Sequence, residues 1–169
     1  MKSIFLNRHA KSAWDNPSLR DFDRPLNDRG KTDAPRMAKK FVQREKSIDL
    51  IVSSPAKRAF STAKKFAKAL GIKKKEITKD KRIYEASIPQ LLQVINELDD
   101  SKNRVMIFGH NTTFSEMVGY LCGHNVFMAT CAVVRIDFDI DSWEEVSQGN
   151  GQFMYLDFPK NDSEKPIYA

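Results

Sequence analysis

Hydrophobic positions along this chain alternate between short continuous runs and longer stretches of helical spacing. Ser3-Ile4-Phe5-Leu6 is an apolar run of strand length. Residues 33–45 then place Ala34, Met37, Ala38, Phe41 and Val42 at helical intervals. Ile48 to Val52 reads as a second strand, and Ser54 can cap a following helix with Pro55 at its first position. That helix carries Ala59, Phe60, Ala63, Phe66, Ala67 and Leu70 on one face and stops at Gly71. Ser87-Ile88-Pro89-Gln90 has the form of a capping box and precedes Leu91, Leu92, Ile95 and Leu98. Val105 to Phe108 is a third strand. Thr113-Phe114-Ser115-Glu116 is a second capping box, opening a helix through Met117, Val118 and Leu121. Two further strands are expected at 132–138 and 153–158, the second after the turn Ser147-Gln148-Gly149-Asn150-Gly151.

The first three strands are wholly apolar, and each leads toward a helix. A strand apolar on both sides is one buried on both faces, so the pattern predicts a three-layer α/β/α sandwich around a mostly parallel sheet. The strand at 132–138 alternates instead, with Val134, Ile136 and Phe138 facing one way and Arg135, Asp137 and Asp139 the other. One domain is expected over residues 1–159, followed by a polar tail, 160–169, that should fray.

Composition narrows the class. The 169 residues are 41% hydrophobic and 30% charged, which suits an ordinary globular chain rather than a disordered one. Two cysteines, Cys122 and Cys131, without patterned spacing suit a reduced protein. The apolar stretch after Met1-Lys2 is too short for a secretory core, and nothing approaches the roughly 20 apolar residues that span a bilayer. The expected compartment is the cytoplasm, with no membrane partner. The net charge of +6 is uneven: residues 1–104 hold 25 Lys and Arg against 13 Asp and Glu, or +12, and the remainder is −6. A basic half suits an acidic or phosphorylated partner. Lys73-Lys74-Lys75 with Lys79, Lys81 and Arg82 is the densest cluster, and no aromatic residue is interleaved from 73 to 82, which argues against nucleic acid.

Ligands of open α/β sheets bind beyond the carboxyl ends of the strands. There the first strand ends in Asn7-Arg8-His9-Ala10, the second runs into Ser53-Ser54-Pro55-Ala56-Lys57-Arg58, and the third ends in Gly109-His110-Asn111. Two Arg and two His thus converge on one sheet edge. Guanidinium forks match phosphoryl oxygens, and a neutral imidazole held in one tautomer can attack phosphorus. His9 is the expected nucleophile, with Arg8, Arg58 and His110 holding the transferring group. Gly123-His124-Asn125 repeats the tripeptide around His110 but follows a helix, so His124 is expected to have no catalytic role. Trp14 and Trp143 read as packing residues, Asp21, Asp23 and Asp28 as turn formers, and Lys11 and Lys57 as solvated neighbours of the site.

Four segments together resemble the histidine phosphatase superfamily, which includes phosphoglycerate mutase-like enzymes, and in particular its small branch of phosphohistidine phosphatases similar to SixA. They are Arg8-His9-Ala10-Lys11-Ser12-Ala13-Trp14, the stretch from Asp23 to Gly30, Ser53 to Ala59, and Val105 to Asn111. The resemblance implies a phosphohistidine intermediate on His9, phosphoryl binding by Arg8, Arg58 and His110 with a hydroxyl from Ser12, and no metal or other cofactor. Ala10 stands where that family usually has Gly, and its methyl is expected to narrow the pocket. Glu85 lies where many members carry a general acid, and it reads either as that acid or as a carboxylate beside a helix N-terminus. With little room for inserted capping segments, an open, shallow pocket is expected. The expected activity is removal of phosphate from phosphohistidine on a protein. The alternatives are hydrolysis of small metabolite phosphoesters and a non-catalytic module that binds phosphoproteins.

Overall fold

The computed structural model of the chain describes residues 1–161, 163 and 165–169. Its elements run β1 (Lys2–Arg8), α1 (Asp28–Arg44), β2 (Leu50–Ser53), α2 (Lys57–Leu70), β3 (Thr78–Lys79), α3 (Ile88–Asn96), β4 (Arg104–Gly109), α4 (Thr113–Cys122), β5 (Val133–Phe138), β6 (Gln152–Asp157) and β7 (Ile167–Tyr168). The strands form one mixed sheet in the order β3-β2-β4-β1-β5-β6-β7. The half from β3 to β1 is parallel. From β1 outward, β5, β6 and β7 add antiparallel.

Side-chain alternation in the central strands divides the core into two apolar layers. Ile4, Leu6, Val105 and Ile107 pack on one face with Leu91 and Ile95 of α3 and with Met117 and Leu121 of α4. Phe5, Met106 and Phe108 pack on the other with Met37 and Phe41 of α1 and Phe66 of α2. This is the expected α/β/α sandwich: strands apolar on both sides need helices on both sides. On β5, Val134, Ile136 and Phe138 join the first layer, while Arg135 turns to the second face and pairs with Asp137 and the buried Glu45. No helix among the described residues is long and apolar enough to cross a membrane.

Local chemistry moves several boundaries. Helix α1 starts at Asp28 rather than near residue 33, because Asn27 Oδ1 accepts from Gly30 N at 2.8 Å and caps the extra turn. Gly30 is required there: a Cβ would sit 2.1 Å from the Lys11 carbonyl oxygen. Helix α2 starts at Lys57, after Pro55, and Ser54 does not cap it; its Oγ accepts from Ala56 N at 3.2 Å and also meets His110. Nor does Thr113 cap α4. Its hydroxyl donates to the Ala86 carbonyl, and Asn111 Oδ1 accepts from Ser115 N instead. Beyond residue 160 the chain does not simply fray, since β7 pairs Tyr168 with Tyr155 of β6; positions 162 and 164 of that tail lie outside the described residues.

Candidate active site

β1, β4 and α2 bring the four expected residues together. Parallel pairing of Arg8 with Gly109 sets the ends of β1 and β4 level, so His9 and His110 emerge side by side with ring centroids 5.3 Å apart. Gly109 permits this packing, since a Cβ there would lie 2.4 Å from the ring of the buried Phe114. Arg58, in the first turn of α2, reaches in from the neighbouring strand connection.

His9 is nearly enclosed, at 7% exposure. Its Nδ1 lies 2.7 Å from the Ala10 carbonyl oxygen. A carbonyl only accepts, so Nδ1 carries the proton and Nε2 keeps its lone pair. Arg58 Nε donates to that Nε2 at 3.3 Å. Burial above all, with the nearby His110, Arg58 and Arg8 as further causes, pushes the His9 pKa down to about 3, against a raising contribution from the Ala10 bond. His110 is lowered to about 4 by burial first and then by the charge of Arg58. Both imidazoles are therefore neutral at pH 7.

The cations around them are only partly used. Arg8 Nη1 donates to the Met128 carbonyl at 2.9 Å, while its buried Nε has no protein partner. Burial lowers the Arg8 pKa. His110 Nε2 lies 2.8 Å from Ser54 Oγ, and its buried Nδ1 is likewise without a partner. An unsatisfied buried polar group costs about 1–3 kcal/mol, so two beside one imidazole mark a place prepared for an acceptor. Among the described residues no group of three or more His, Cys, Asp or Glu forms a metal site.

Other expected residues sit differently. Ser12 is buried and accepts from Arg24 Nη2, with no hydrogen bond to Arg8, His9, Arg58 or His110. Glu85 is exposed on the turn before α3, with a left-handed φ of 56°. Ala10 is fully buried in the core layer of Phe5 and Leu26, so its methyl fills the interior rather than narrowing the pocket. His124 stacks on Phe153, apart from the site. Trp143 is packed as expected, but Trp14 is 74% exposed, covered only on one side by the Arg24 guanidinium.

Several contributors lay outside the sequence reading. Asp21 is not merely a turn former: its carboxylate accepts from Arg58 Nη2 at 2.9 Å, Tyr84 Oη at 2.7 Å and Arg24 Nη1 at 2.8 Å. Partial desolvation raises its pKa, but the bonds from Tyr84 and Arg58 outweigh this and hold it at about 2. Tyr84 packs edge-on against His110, and burial with the Asp21 bond raises its phenol to about 12. Thr62 accepts from Ala10 N at 3.0 Å and donates to the Arg58 carbonyl, tying the segment that follows β1 and His9 to α2. Phe127 lies 5.8 Å from the Arg8 guanidinium on the loop before β5. All four bridge segments distant in sequence, and no local pattern marks them.

A neutral, oriented imidazole beside the guanidinium groups of Arg8 and Arg58 at the strand ends of an α/β/α sheet is suited to handling a phosphoryl group. Residues 4–91 match the Histidine phosphatase superfamily (branch 1). The chain belongs to that superfamily and is a phosphatase of the histidine phosphatase type. It is 30% identical over 152 residues to an uncharacterized chloroplastic protein of Arabidopsis thaliana, an alignment covering 85% of this chain and 70% of that one. It is 41% identical over 88 residues to phosphoserine phosphatase 1 of Hydrogenobacter thermophilus, covering 50% of this chain and 39% of the relative. Its fold superposes with a TM-score of 0.78 on the crystal structure assigned as phosphohistidine phosphatase SixA from Agrobacterium tumefaciens, at 27% identity over 94% of this chain and 98% of the other.

Proposed function

We propose that this phosphatase removes the phosphoryl group from phosphohistidine on a protein, through a phosphohistidine intermediate on His9. The observation that carries the reading is the unprotonated His9 Nε2 facing Arg58, with Arg8 Nε and His110 Nδ1 buried and without hydrogen-bond partners among the described residues. His9 Nε2 attacks phosphorus and forms a P–N bond as the bond to the substrate imidazole breaks. Arg8, Arg58 and His110 neutralise the oxygens of the transferring group. For His110 this requires a proton on Nδ1, which Ser54 fixes by donating its hydroxyl hydrogen to Nε2. Water then attacks the phosphoenzyme and releases inorganic phosphate. The substrate imidazole, protonated on its other ring nitrogen, departs as a neutral base, so little is asked of a protein acid. Ser12 acts at one remove, by holding Arg24 against Asp21. Two free thiols, Cys122 and Cys131, suit a reducing compartment such as the cytoplasm.

A second reading, hydrolysis of small phosphoesters, is favoured by the likeness to phosphoserine phosphatase 1. An alkoxide leaving group needs a proton donor, and this reading assigns that role to Glu85, on the turn beside Tyr84, whose left-handed backbone costs about 1–3 kcal/mol for a non-glycine residue. The deciding experiment measures phosphate release from a phosphohistidine-bearing protein and from phosphoserine, without added metal, by wild type and His9→Ala. Release from the protein substrate, abolished in the variant, is expected. Turnover of phosphoserine alone would move the enzyme to the second reading, and binding of both without release would make it a phosphoprotein-binding module.

A further inference from the structure

Five lysines line one groove along α2, the helix whose first turn carries Arg58. Lys57, Lys64, Lys65 and Lys68 come from the outer side of α2, with Lys57 two turns before Lys64 and Lys68 one turn after it, and Lys31 comes from α1. The opposite face of α2 is committed to the core through Ala59, Ala63 and Phe66, so the lysine face is free to meet a partner. Pro25 and Leu26 lie between the two helices and form an apolar floor. The hollow encloses about 590 Å³, and no Asp or Glu lines it. None of the five lysines makes a salt bridge among the described residues, in contrast to Lys40 and Arg44 of α1, which share the buried Asp157.

Crowding is felt inside the cluster. Burial first, and then the charges of Lys74, Lys65, Lys79 and Lys57, lower the pKa of Lys64. A patch that repels itself and has no internal counterion is stabilised by an anionic partner. The groove begins at the first turn of α2, the turn that also carries Arg58. Lys57 immediately precedes Arg58, and Pro25, Leu26 and Lys31 also border the neighbouring hollow that holds Ser12 and the exposed Trp14.

We propose that this groove docks an acidic polypeptide segment, carried by the phosphorylated protein substrate and lying beside its phosphorylated residue. Lysine heads meet the carboxylates, and the floor of Pro25 and Leu26, extended by the lysine stems, meets intervening apolar side chains. Nucleic acid fits less well, because no aromatic ring lines the groove for base stacking and no Arg, Asn or Gln lines it to read base edges. The nature of the carrier rests on the phosphoprotein reading above; the docking of acidic chain does not.

The test uses Lys64→Glu/Lys65→Glu/Lys68→Glu, three positions outside the catalytic machinery. A fluorescein-labelled Glu-rich peptide with interspersed leucines is titrated into wild type and variant and followed by anisotropy at low and high salt. Phosphate release from a phosphohistidine protein and from a small aryl phosphate is measured in parallel. Expected are peptide binding by wild type that weakens with salt, loss of binding by about 10-fold or more in the variant, and a similar loss of kcat/KM on the protein substrate only. Unchanged aryl phosphate turnover shows that the variant is folded. Equal peptide binding by the two proteins, or no binding by wild type, overturns the proposal, as does tighter binding of a duplex oligonucleotide than of the peptide. If wild type binds the peptide through these lysines yet does not release phosphate from phosphohistidine, the docking groove stands and the phosphohistidine reading fails.

Discussion

Acidification probes the two buried histidines most directly. In the unfolded chain both titrate near pH 6.5, whereas in the native protein His9 is held at about 3 and His110 at about 4. Below pH 6.5 the unfolded state therefore binds protons that the native state refuses, so stability falls as the pH is lowered and is recovered as it rises. By pH 5 each histidine has removed about 2 kcal/mol, from some 1.5 pH units at about 1.4 kcal/mol each, and the two together remove about 4 kcal/mol. The loss levels off only as the pH passes through the native values. Urea denaturation at pH 7, 6 and 5 reads this directly, with the His9→Gln/His110→Gln double variant as control; its pH dependence should be flatter by about 4 kcal/mol over the same range. Nitrogen NMR of the imidazoles supplies the second readout, with His9 protonated on Nδ1 alone from pH 7 down to pH 5. A native His9 that titrates near 6.5, or a double variant as pH-sensitive as wild type, would refute the claim that burial keeps the nucleophile neutral.

Removing the charge of Asp21 by Asp21→Asn should lower kcat/KM about 10-fold through a loosened Arg58, while unfolding free energy changes by less than about 1 kcal/mol because the carboxylate is partly exposed; unaltered kcat/KM would show that Arg58 needs no anchor. Gly109→Ala drives a methyl into Phe114 and Ile83, two buried side chains with no room to yield, and should cost about 1–3 kcal/mol in urea denaturation. Glu85→Gln should leave phosphohistidine turnover within about 2-fold and reduce turnover of an alkyl phosphate about 100-fold, the range of general-acid contributions; equal loss on both substrates would place Glu85 in a step common to them.

Periodicity alone made most of the architecture legible. Ile4 to Leu6 and Val105 to Phe108 are apolar at every position, and only a strand covered on both faces accepts that. The same logic located Arg8, His9 and His110, because a strand end in an α/β sheet is a ligand position whatever the details of packing. Local hydrogen-bond chemistry was harder to read. Ser54 and Thr113 have the right types and spacing for helix caps, but each found a tertiary partner, His110 and the Ala86 carbonyl, that local sequence does not show.

The sequence by itself determined which side chains could carry phosphoryl chemistry and which end of the sheet would hold them. Tertiary structure decided their chemical state. His9 is a neutral imidazole rather than a cation because the packed core excludes the water that would solvate a charge, and the Ala10 carbonyl, by accepting from Nδ1, leaves the lone pair on Nε2. Arg58 points at it because Asp21 and Tyr84, 37 and 63 residues apart from their partners in the chain, close over its outer edge. Solvation and long-range hydrogen bonding depend on what folding brings within a few ångströms, and neither leaves a periodic trace in the chain.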